Sequence, residues 1–313
     1  MNKIADKDIT FVVQGPVQAS KDRKQLLGIT EQCLRSIRNY FPESKIILST
    51  WKGQPHQGLD YDLVLELDDP GPNFIYHGDE QIQLNNNRQL HSSHMGLAKV
   101  ETKFAVKMRT DNLLTGRGFV ELYEKYSGTP RDSKHALLNS RVVTSSTFFI
   151  SSHVGREVHF HKSDLFDFGE TADLLKIWNG NFIPELRFNK VSGYKSRYPA
   201  TEQFLCLSWI SRLLGIDIML NTKAGDHAGL GKEYWKKFVA NNLIVDLPEN
   251  IGLDVTERFY NRGNLALEID LADWKEFSGI ENRSWDNKRL KRTLKKYESQ
   301  VLRFFLDKSN RHA

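Results

Sequence analysis

Cysteine is scarce in this sequence. The 313 residues contain two cysteines, Cys33 and Cys206, and both lie in apolar segments with helical periodicity. Two separated cysteines provide neither a disulfide framework nor the paired spacing of a cysteine zinc site. We therefore expect reduced thiols inside a hydrophobic core, as is typical of a cytoplasmic protein.

Long apolar runs are also missing. No segment approaches the ~20 consecutive apolar residues that a membrane-spanning helix needs. The first residues lack the apolar region of a secretory signal peptide, and a predicted strand begins almost at once. We expect a protein that is not exported and does not cross the bilayer.

Several catalytic and binding motifs are absent as well. The sequence contains no G-x-S-x-G elbow, so hydrolase chemistry with a Ser/His/Asp triad finds no support. It also contains no Walker A loop and no G-x-G-x-x-G turn. The formal net charge is +5 and the pI is about 9.0, but much of the basic excess lies near the C-terminus. Because no nucleic-acid motif accompanies this charge, we expect no nucleic-acid partner.

What is present is an alternation of apolar strand-like and helix-like segments. Strands alternating with helices predict an α/β fold with a mostly parallel sheet. A second-half helix is predicted at 200–215, with Thr201 as its N-cap. The other main predictions are strands at 8–17, 44–51, 61–73 and 103–112, and helices at 24–42 and 79–101.

Polar residues follow the predicted parallel strands at their carboxyl ends. Ligands of open α/β sheets bind beyond those ends, so these residues should converge on one cleft. They are Gln14 and Gly15, Thr50 and Trp51, Asp68 and Asp69, and Arg109 and Asp111.

The segment KFAVKMRTDNLL, at 103–114, carries unusual charge for a buried strand. Lys107, Arg109 and Asp111 alternate, so all three can face one side. Asp111 suits a divalent cation and Arg109 suits a phosphate or a carboxylate. The alternative is a local Arg–Asp pair that closes the strand. On the preceding predicted helix, Asn87 and Arg88 belong to polar faces that could read sugar hydroxyls or remain solvated.

Further candidates lie in the second half of the chain. Asp164 follows a predicted strand and could act as a base or nucleophile, or merely cap a turn. Glu202, in the first turn of an apolar helix, suits a carboxylate base but equally suits helix capping. His227, in a glycine-rich loop, could complete a metal site with Asp111.

The C-terminal segment 287–311 is basic and amphipathic. A helix of this kind can lie on an anionic membrane surface. Alternatively, it docks on the core and leaves a solvated basic face. We predict a main domain at 1–240 and a C-terminal extension at 241–313.

Several motifs, in order, resemble the WavE family of bacterial lipopolysaccharide-synthesis proteins: DITFVVQGPV, LRSIRNYFPESKIILSTW, VKMRTDN and FHKSDLFDFG. The resemblance covers roughly residues 8 to 230. It implies a GT-A-like, Rossmann-type α/β/α sandwich and glycosyl transfer from a nucleotide sugar to a lipid-linked saccharide of the lipopolysaccharide core or surface polysaccharide. It also implies an enzyme at the inner face of the inner membrane.

Site roles follow from the same resemblance. Glu202 resembles the carboxylate that deprotonates the acceptor hydroxyl, and Asp164 is the rival for that role. Asp111 and His227 resemble the ligands of a divalent cation, Mn²⁺ or Mg²⁺. Arg109 stands where GT-A enzymes commonly have a second acid, so Arg109 or Lys107 could replace the charge of the metal. The expected donor-binding residues are Gln14, Gly15, Asp68, Asn87, Arg88, Lys107, Arg109 and Asp111.

Two other classes of function compete with this one. A non-catalytic carbohydrate-binding or assembly protein on a decayed transferase fold is suggested by the missing second acid. A sugar nucleotidyltransferase would need a basic, glycine-rich loop after the first strand, where the sequence offers Gly15, Lys21, Arg23 and Lys24.

Overall fold

The computed structural model describes residues 3–17, 27–190, 197–260 and 267–309. The strands, in chain order, are β1 (Ile9–Gln14), β2 (Lys45–Trp51), β3 (Leu63–Leu67), β4 (Asn73–His77), β5 (Glu80–Leu84), β6 (Phe104–Arg109), β7 (Leu113–Leu114), β8 (Val142–Ser145), β9 (Ser152–His153), β10 (Arg156–Glu157), β11 (Phe166–Glu170), β12 (Leu186–Phe188), β13 (Leu243–Asp246) and β14 (Leu253–Asp254).

The helices are α1 (Ile29–Tyr40), α2 (Asn86–Leu97), α3 (Gly118–Tyr126), α4 (Thr171–Ile177), α5 (Thr201–Leu214), α6 (Tyr234–Asn242), α7 (Pro248–Ile251), α8 (Glu257–Tyr260), α9 (Leu271–Phe277) and α10 (Asn287–Ser309). A short 3₁₀ helix, Asp6–Asp8, precedes β1. Among the described residues, no helix is long and apolar enough to span a membrane.

A seven-stranded sheet forms the centre, with the order β13-β8-β11-β6-β1-β2-β3. Its strands pair in parallel, except that β11 runs antiparallel to both β6 and β8. The predicted α/β fold with a mostly parallel sheet is therefore confirmed. The strand β13 belongs to this sheet although it follows residue 240, and the division at 240 stays a prediction.

Helices pack on both faces of the sheet because the apolar side chains of β1 alternate. Phe11 points to one face, where its ring lies 5.0 Å from Phe41, after α1, and 6.3 Å from Phe119 in α3. Val12 points to the other face, against α2. A Cβ on Gly96 would lie 2.3 Å from Val12 Cγ1, so glycine is what lets α2 approach the sheet this closely.

Two predicted elements differ from the structure. The helix predicted at 79–101 begins only at Asn86, because residues 80–84 pair antiparallel with β4. The side chain of Asn73 then accepts hydrogen bonds from the N–H groups of Asn86 and Asn87, at 3.0 and 3.4 Å, and so caps the shortened helix. In α5 the N-cap is Ala200 rather than Thr201, and Gln203 Oε1 accepts from the Ala200 N–H at 2.9 Å.

Candidate active site

The carboxyl end of β6 holds an ion pair. Arg109 Nε lies 2.8 Å from Asp111 Oδ1, and Nη2 lies 3.0 Å from Oδ2, so both carboxylate oxygens accept from the guanidinium. Burial lowers the pKa of Arg109, but Asp111 more than offsets this and raises it above its ordinary value. The local Arg–Asp pair, which the sequence offered as the alternative to a ligand site, therefore exists, with Arg109 partly exposed and permanently charged.

Below this pair, Lys107 is fully buried. Its ammonium donates to the backbone carbonyl of Asp164 and lies 4.0 Å from the centre of the Trp178 ring. Burial lowers the pKa of Lys107 to about 7, against the opposing effect of Asp164 and Asp167. Gln89 Nε2 donates to the same carbonyl at 2.9 Å. The backbone of Asp164 is thus held from two elements of the fold.

A second buried cation, Lys162, stabilises the chain segment next to Asp164. Lys162 Nζ donates to Asp167 Oδ1 at 2.6 Å, and Trp178 Nε1 donates to Asp167 Oδ2 at 2.8 Å. The Asp167 carboxylate therefore has a partner on each oxygen, as a buried charge requires. The loop that carries Asp164 rests on this satisfied network and has little freedom to shift.

Asp164 and Glu202 line the same small pocket, together with Lys162, Ser163, Ile177, Trp178, Leu205, Cys206 and Trp209. Glu202 stands in the first turn of α5 with its side chain 19% exposed. Burial, and next the negative charge of Asp164, raise the pKa of Glu202 to about 7, although Lys223 and Arg197 act in the opposite direction. A carboxylate with a pKa near neutrality is suited to accept a proton at physiological pH.

The imidazole of His161 lies beside this carboxylate. Its Nε2 lies 3.7 Å from Glu202 Oε2, and burial lowers the pKa of His161 to about 3. The imidazole is therefore neutral near pH 7 and gives Glu202 no positive charge to pair with. This leaves the Glu202 carboxylate basic.

Electrostatic contacts join the two halves of the site. The charge of Asp164 acts on Arg109 and Lys107 at the end of β6, and on Glu202 at the start of α5. The structure therefore brings Lys107, Arg109, Asp111, Asp164 and Glu202 into one neighbourhood. Chemically, this neighbourhood combines a partly exposed fixed cation with a pair of interacting carboxylates.

The end of β1 lies beside this neighbourhood. Gln14 pairs in register with Arg109, and its side-chain oxygen accepts from Ser92 Oγ at 2.8 Å. Gly15 has a φ of +124°, and a Cβ there would lie 3.2 Å from Thr110 Oγ1. The strand register and Gly15 hold the backbones of β1 and β6 close together at the carboxyl edge, the edge at which open α/β sheets generally bind ligands.

The remaining predicted donor-binding residues form a different group, near the end of β3 and the start of α2. Asp68 pairs with Lys52 at 2.7 Å, and Arg88 forms a two-fold pair with Asp69 at 2.7 and 2.8 Å. The amide of Asn87 donates to the Ile183 carbonyl and accepts from the Ile183 N–H. These side chains have protein partners, and their predicted contact with the donor stays a prediction.

The predicted metal ligands do not form a matching donor set. Both oxygens of Asp111 accept from Arg109, and His227 Nδ1 accepts from the Gly231 N–H at 3.3 Å. Within the described ranges, no group of three or more His, Cys, Asp or Glu side chains could hold a metal ion. The divalent cation therefore stays a prediction without a supporting ligand set.

Sequence reasoning missed three residues that shape the site, namely His161, Trp178 and Lys223. His161 belongs to the segment FHKSDLFDFG, but no pattern in the sequence predicts that its ring lies 3.7 Å from the Glu202 carboxylate. Trp178 follows α4, and Lys223 lies 21 positions after Glu202. Such contacts depend on the packing of distant segments, and no local pattern carries them. The basic residues Lys21, Arg23 and Lys24 lie outside the described residues.

A family model for WavE lipopolysaccharide synthesis matches residues 9–312, almost the whole chain. The chain belongs to the WavE lipopolysaccharide synthesis family. The resemblance indicated by the sequence motifs is thereby confirmed. No curated protein matches the chain in sequence.

Solved structures with a similar fold have low identity to the chain. The 4-diphosphocytidyl-2C-methyl-D-erythritol synthase of Anaerococcus prevotii is 12% identical, with a TM-score of 0.32, over 82% of this chain and 94% of that one. TarS 1–349 of S. aureus is 11% identical, with a TM-score of 0.33, over 74% and 71%. TarS 1–349 in complex with UDP-GlcNAc is 14% identical, with a TM-score of 0.32, over 74% and 72%. Likeness this distant decides neither activity nor ligand.

Proposed function

We propose that this WavE family member is a glycosyltransferase that moves a sugar from a nucleotide-sugar donor to a saccharide of the lipopolysaccharide core or surface polysaccharide. The acceptor is lipid-linked, and the reaction takes place at the inner face of the inner membrane. Membership of a lipopolysaccharide-synthesis family is consistent with this proposal.

The observation that carries the proposal is the carboxylate pair in one pocket. Glu202 has a pKa raised to about 7, and Asp164 contributes to that rise. In the proposed step, Glu202 takes the proton of the acceptor hydroxyl while the acceptor oxygen bonds to the anomeric carbon. The bond from that carbon to the diphosphate breaks, and its electron pair leaves with the nucleoside diphosphate. General base catalysis of this kind contributes about 10²- to 10⁴-fold.

Arg109 is the residue proposed to face the leaving diphosphate. It is charged at any physiological pH, it lies at the carboxyl edge of the sheet, and its side chain is 21% exposed. Asp111 accepts from Nε and Nη2 of Arg109, so we propose that the remaining N–H groups of the guanidinium donate to the diphosphate. Lys107 is buried, so its proposed role is to position Asp164 rather than to touch the phosphate.

The base and the ribose of the donor are proposed to lie along the ends of β1 and β3. Gln14 and Gly15 supply a close backbone approach there, and Asp68 supplies an exposed carboxylate for hydroxyl groups. Asn87 and Arg88, at the start of α2, would stabilise the same edge. A metal step forms no part of the proposal, because Asp111 and His227 do not form a matching ligand set.

The test is a titration of purified protein with UDP, GDP, CMP and dTDP sugars, with and without Mn²⁺, beside the Asp111→Ala variant. Glycosyl transfer predicts selective binding of one nucleotide class and release of the nucleoside phosphate when an acceptor saccharide is added. Binding that is indifferent to Mn²⁺ would support the Arg109 role. Binding that needs Mn²⁺ and is lost in Asp111→Ala would instead establish a divalent cation held by Asp111.

The competing functions are tested by two companion assays, one with a nucleoside triphosphate and a sugar phosphate and one with saccharide alone. Release of pyrophosphate from a nucleoside triphosphate and a sugar phosphate would establish a nucleotidyltransferase and contradict the proposal. Binding of saccharide without binding of any nucleotide sugar would establish the non-catalytic function.

A further inference from the structure

The C-terminal helix α10 presents its apolar side to the outside of the molecule. Five side chains along one face are about half exposed or more. They recur at spacings of four, three, four and four residues, which places them in one stripe of the helix. They are Leu290 (49%), Leu294 (59%), Tyr297 (62%), Val301 (54%) and Phe305 (64%). We call them the apolar stripe.

The polar side of α10 holds the helix to the rest of the protein. Lys288 Nζ lies 2.9 Å from Asp270 Oδ2, and Arg292 donates to both oxygens of Asp273 at 2.8 and 2.9 Å. Arg292 also donates to the Glu268 carbonyl at 2.7 Å. Acidic groups of the body therefore select the basic side of the helix, and the apolar stripe is left outside.

Close backbone packing confirms that the polar side is the docked side. A Cβ on Gly155 would lie 2.9 Å from both the Lys296 carbonyl oxygen and Gln300 Cγ. The chain at Gly155 therefore touches the backbone of α10 directly, at Lys296 and Gln300, which do not belong to the apolar stripe. The helix is fixed in this rotation by contacts and not merely tethered at its start.

An outward apolar stripe is the reverse of what the other amphipathic helices show. In α1, the apolar residues Cys33, Leu34 and Ile37 are buried against the body. Apolar surface is driven out of water, and a contiguous exposed patch on a soluble protein marks a contact surface. The stripe therefore requires a covering surface that the chain itself does not supply among its described residues.

We propose that the apolar stripe of α10 inserts into the interface of an anionic lipid membrane. Lys291 is exposed beside Leu290 and Leu294, and Trp285, before the helix, is 70% exposed. Basic side chains flanking an apolar face, with aromatic rings along it, are the composition of helices that lie in the headgroup region. Residues 287–309 contain eight lysines and arginines against two acidic residues, Glu298 and Asp307, and this net positive charge complements anionic lipid.

A second copy of the chain is a poorer occupant. It would bring a second helix with the same net positive charge to the contact, whereas anionic lipid brings the opposite charge. The stripe also spans about two heptads, and a sustained coiled coil needs roughly three or four. The proposal does not depend on sugar transfer, since lipid binding is measured without donor or acceptor.

The test is sedimentation of the full chain with two sets of vesicles, one of phosphatidylcholine with phosphatidylglycerol and one of phosphatidylcholine alone. We expect binding to the anionic vesicles, weaker binding to the neutral ones, and a further loss at high salt. The double variant Leu294→Glu with Val301→Glu should bind at least about tenfold more weakly, because it places charge in the inserted face. The double variant Leu294→Met with Val301→Leu is the matched control and should bind like the wild type.

Folding of the variants is checked by thermal unfolding. The stripe is exposed, so the midpoint should not move, and the single variant Phe305→Ser provides a second, milder probe. The proposal is overturned if the wild type does not bind anionic vesicles, or if the Glu variant and Phe305→Ser both bind as well as the wild type. It is also overturned if sedimentation velocity shows a wild-type dimer that the Glu variant converts to a monomer without any change in lipid binding.

Discussion

Two groups of polar residues lie at the carboxyl edge of the same sheet, and they differ in solvation. In the group at β3 and α2, Asp68 pairs with Lys52 and Asp69 pairs with Arg88. Three of these side chains are exposed and Arg88 is partly exposed. In the group at β6 and α5, Asp164 and Glu202 share a pocket, and the pKa of Glu202 rises to about 7. Polar residues collect at the carboxyl ends of the strands in both groups. Only in the second does burial raise a pKa, that of Glu202, to the range that proton transfer needs.

The largest effect is expected from Glu202→Gln. The amide keeps the shape but cannot accept the proton, so kcat for sugar transfer should fall by about 10²- to 10⁴-fold while donor binding is unchanged. Asp68→Asn, in the exposed group, is the matched control and should raise KM without lowering kcat. Rates of nucleoside diphosphate release measured against donor concentration separate the two. If both variants lower kcat, or both raise KM, the proposed difference in role between the two groups is contradicted.

The next largest effect is expected at the two arginines. Arg109→Ala should weaken donor binding by about 10- to 100-fold, because charge-assisted hydrogen bonds contribute roughly 1.5–3 kcal/mol. Arg88→Ala should weaken it less, since Arg88 is held by Asp69 on the surface. Calorimetric titration with the donor gives both values. A larger loss in Arg88→Ala would move the phosphate site to the β3 and α2 group.

The buried lysine gives a smaller effect of a different kind. Lys107→Met removes one of the two donors to the Asp164 carbonyl, so kcat should fall by about tenfold through loss of positioning. The free energy of unfolding should change by less than about 2 kcal/mol, because the desolvation cost of the ammonium is removed along with its contacts. Lys52→Met, at an exposed pair, should change stability by less than about 1 kcal/mol and leave kcat unchanged. Urea unfolding and initial rates test this, and equal kcat values in both variants would contradict it.

The smallest expected effect is the pH dependence of stability. The pKa of Glu202 is higher in the folded protein than in the unfolded chain, so the folded state holds the proton more tightly. The contribution of Glu202 to stability is therefore complete below its ordinary pKa of 4.5 and is lost as the pH rises to about 7. Glu202→Gln should flatten this part of the curve of unfolding free energy against pH. An unchanged slope in the variant would show that Glu202 has an ordinary pKa.

Much of the fold could be predicted from local sequence pattern. The β-rich apolar segments at 8–17 and 44–51 contain β1 and β2, and the helix predicted at 200–215 is α5 within one residue at each end. The strand β5 falls inside the helix predicted at 79–101, because the stretch before the asparagine run is polar and lacks the β-rich apolar composition of the other strands. Its period-two alternation, in Gln81, Ile82, Gln83 and Leu84, is the signal that identifies the strand.

The site could be predicted only in part. Strand-end position pointed to Arg109 and Asp111, but the burial of Lys107 and the approach of Asp164 to Glu202 arise from packing between segments far apart in sequence. The amphipathic character of α10 was likewise visible, whereas its orientation was not. That orientation is set by Asp270 and Asp273, which belong to another part of the chain.

The measurement that tests the central claim most directly is an NMR titration of the Glu202 carboxyl group in the wild type and in Asp164→Asn. It requires neither substrate nor turnover. The account predicts a midpoint near pH 7 in the wild type and a lower midpoint in Asp164→Asn, because the negative neighbour has been removed. A midpoint in the ordinary range of glutamate in both proteins would contradict the account, because Glu202 would then be neither desolvated nor coupled to Asp164.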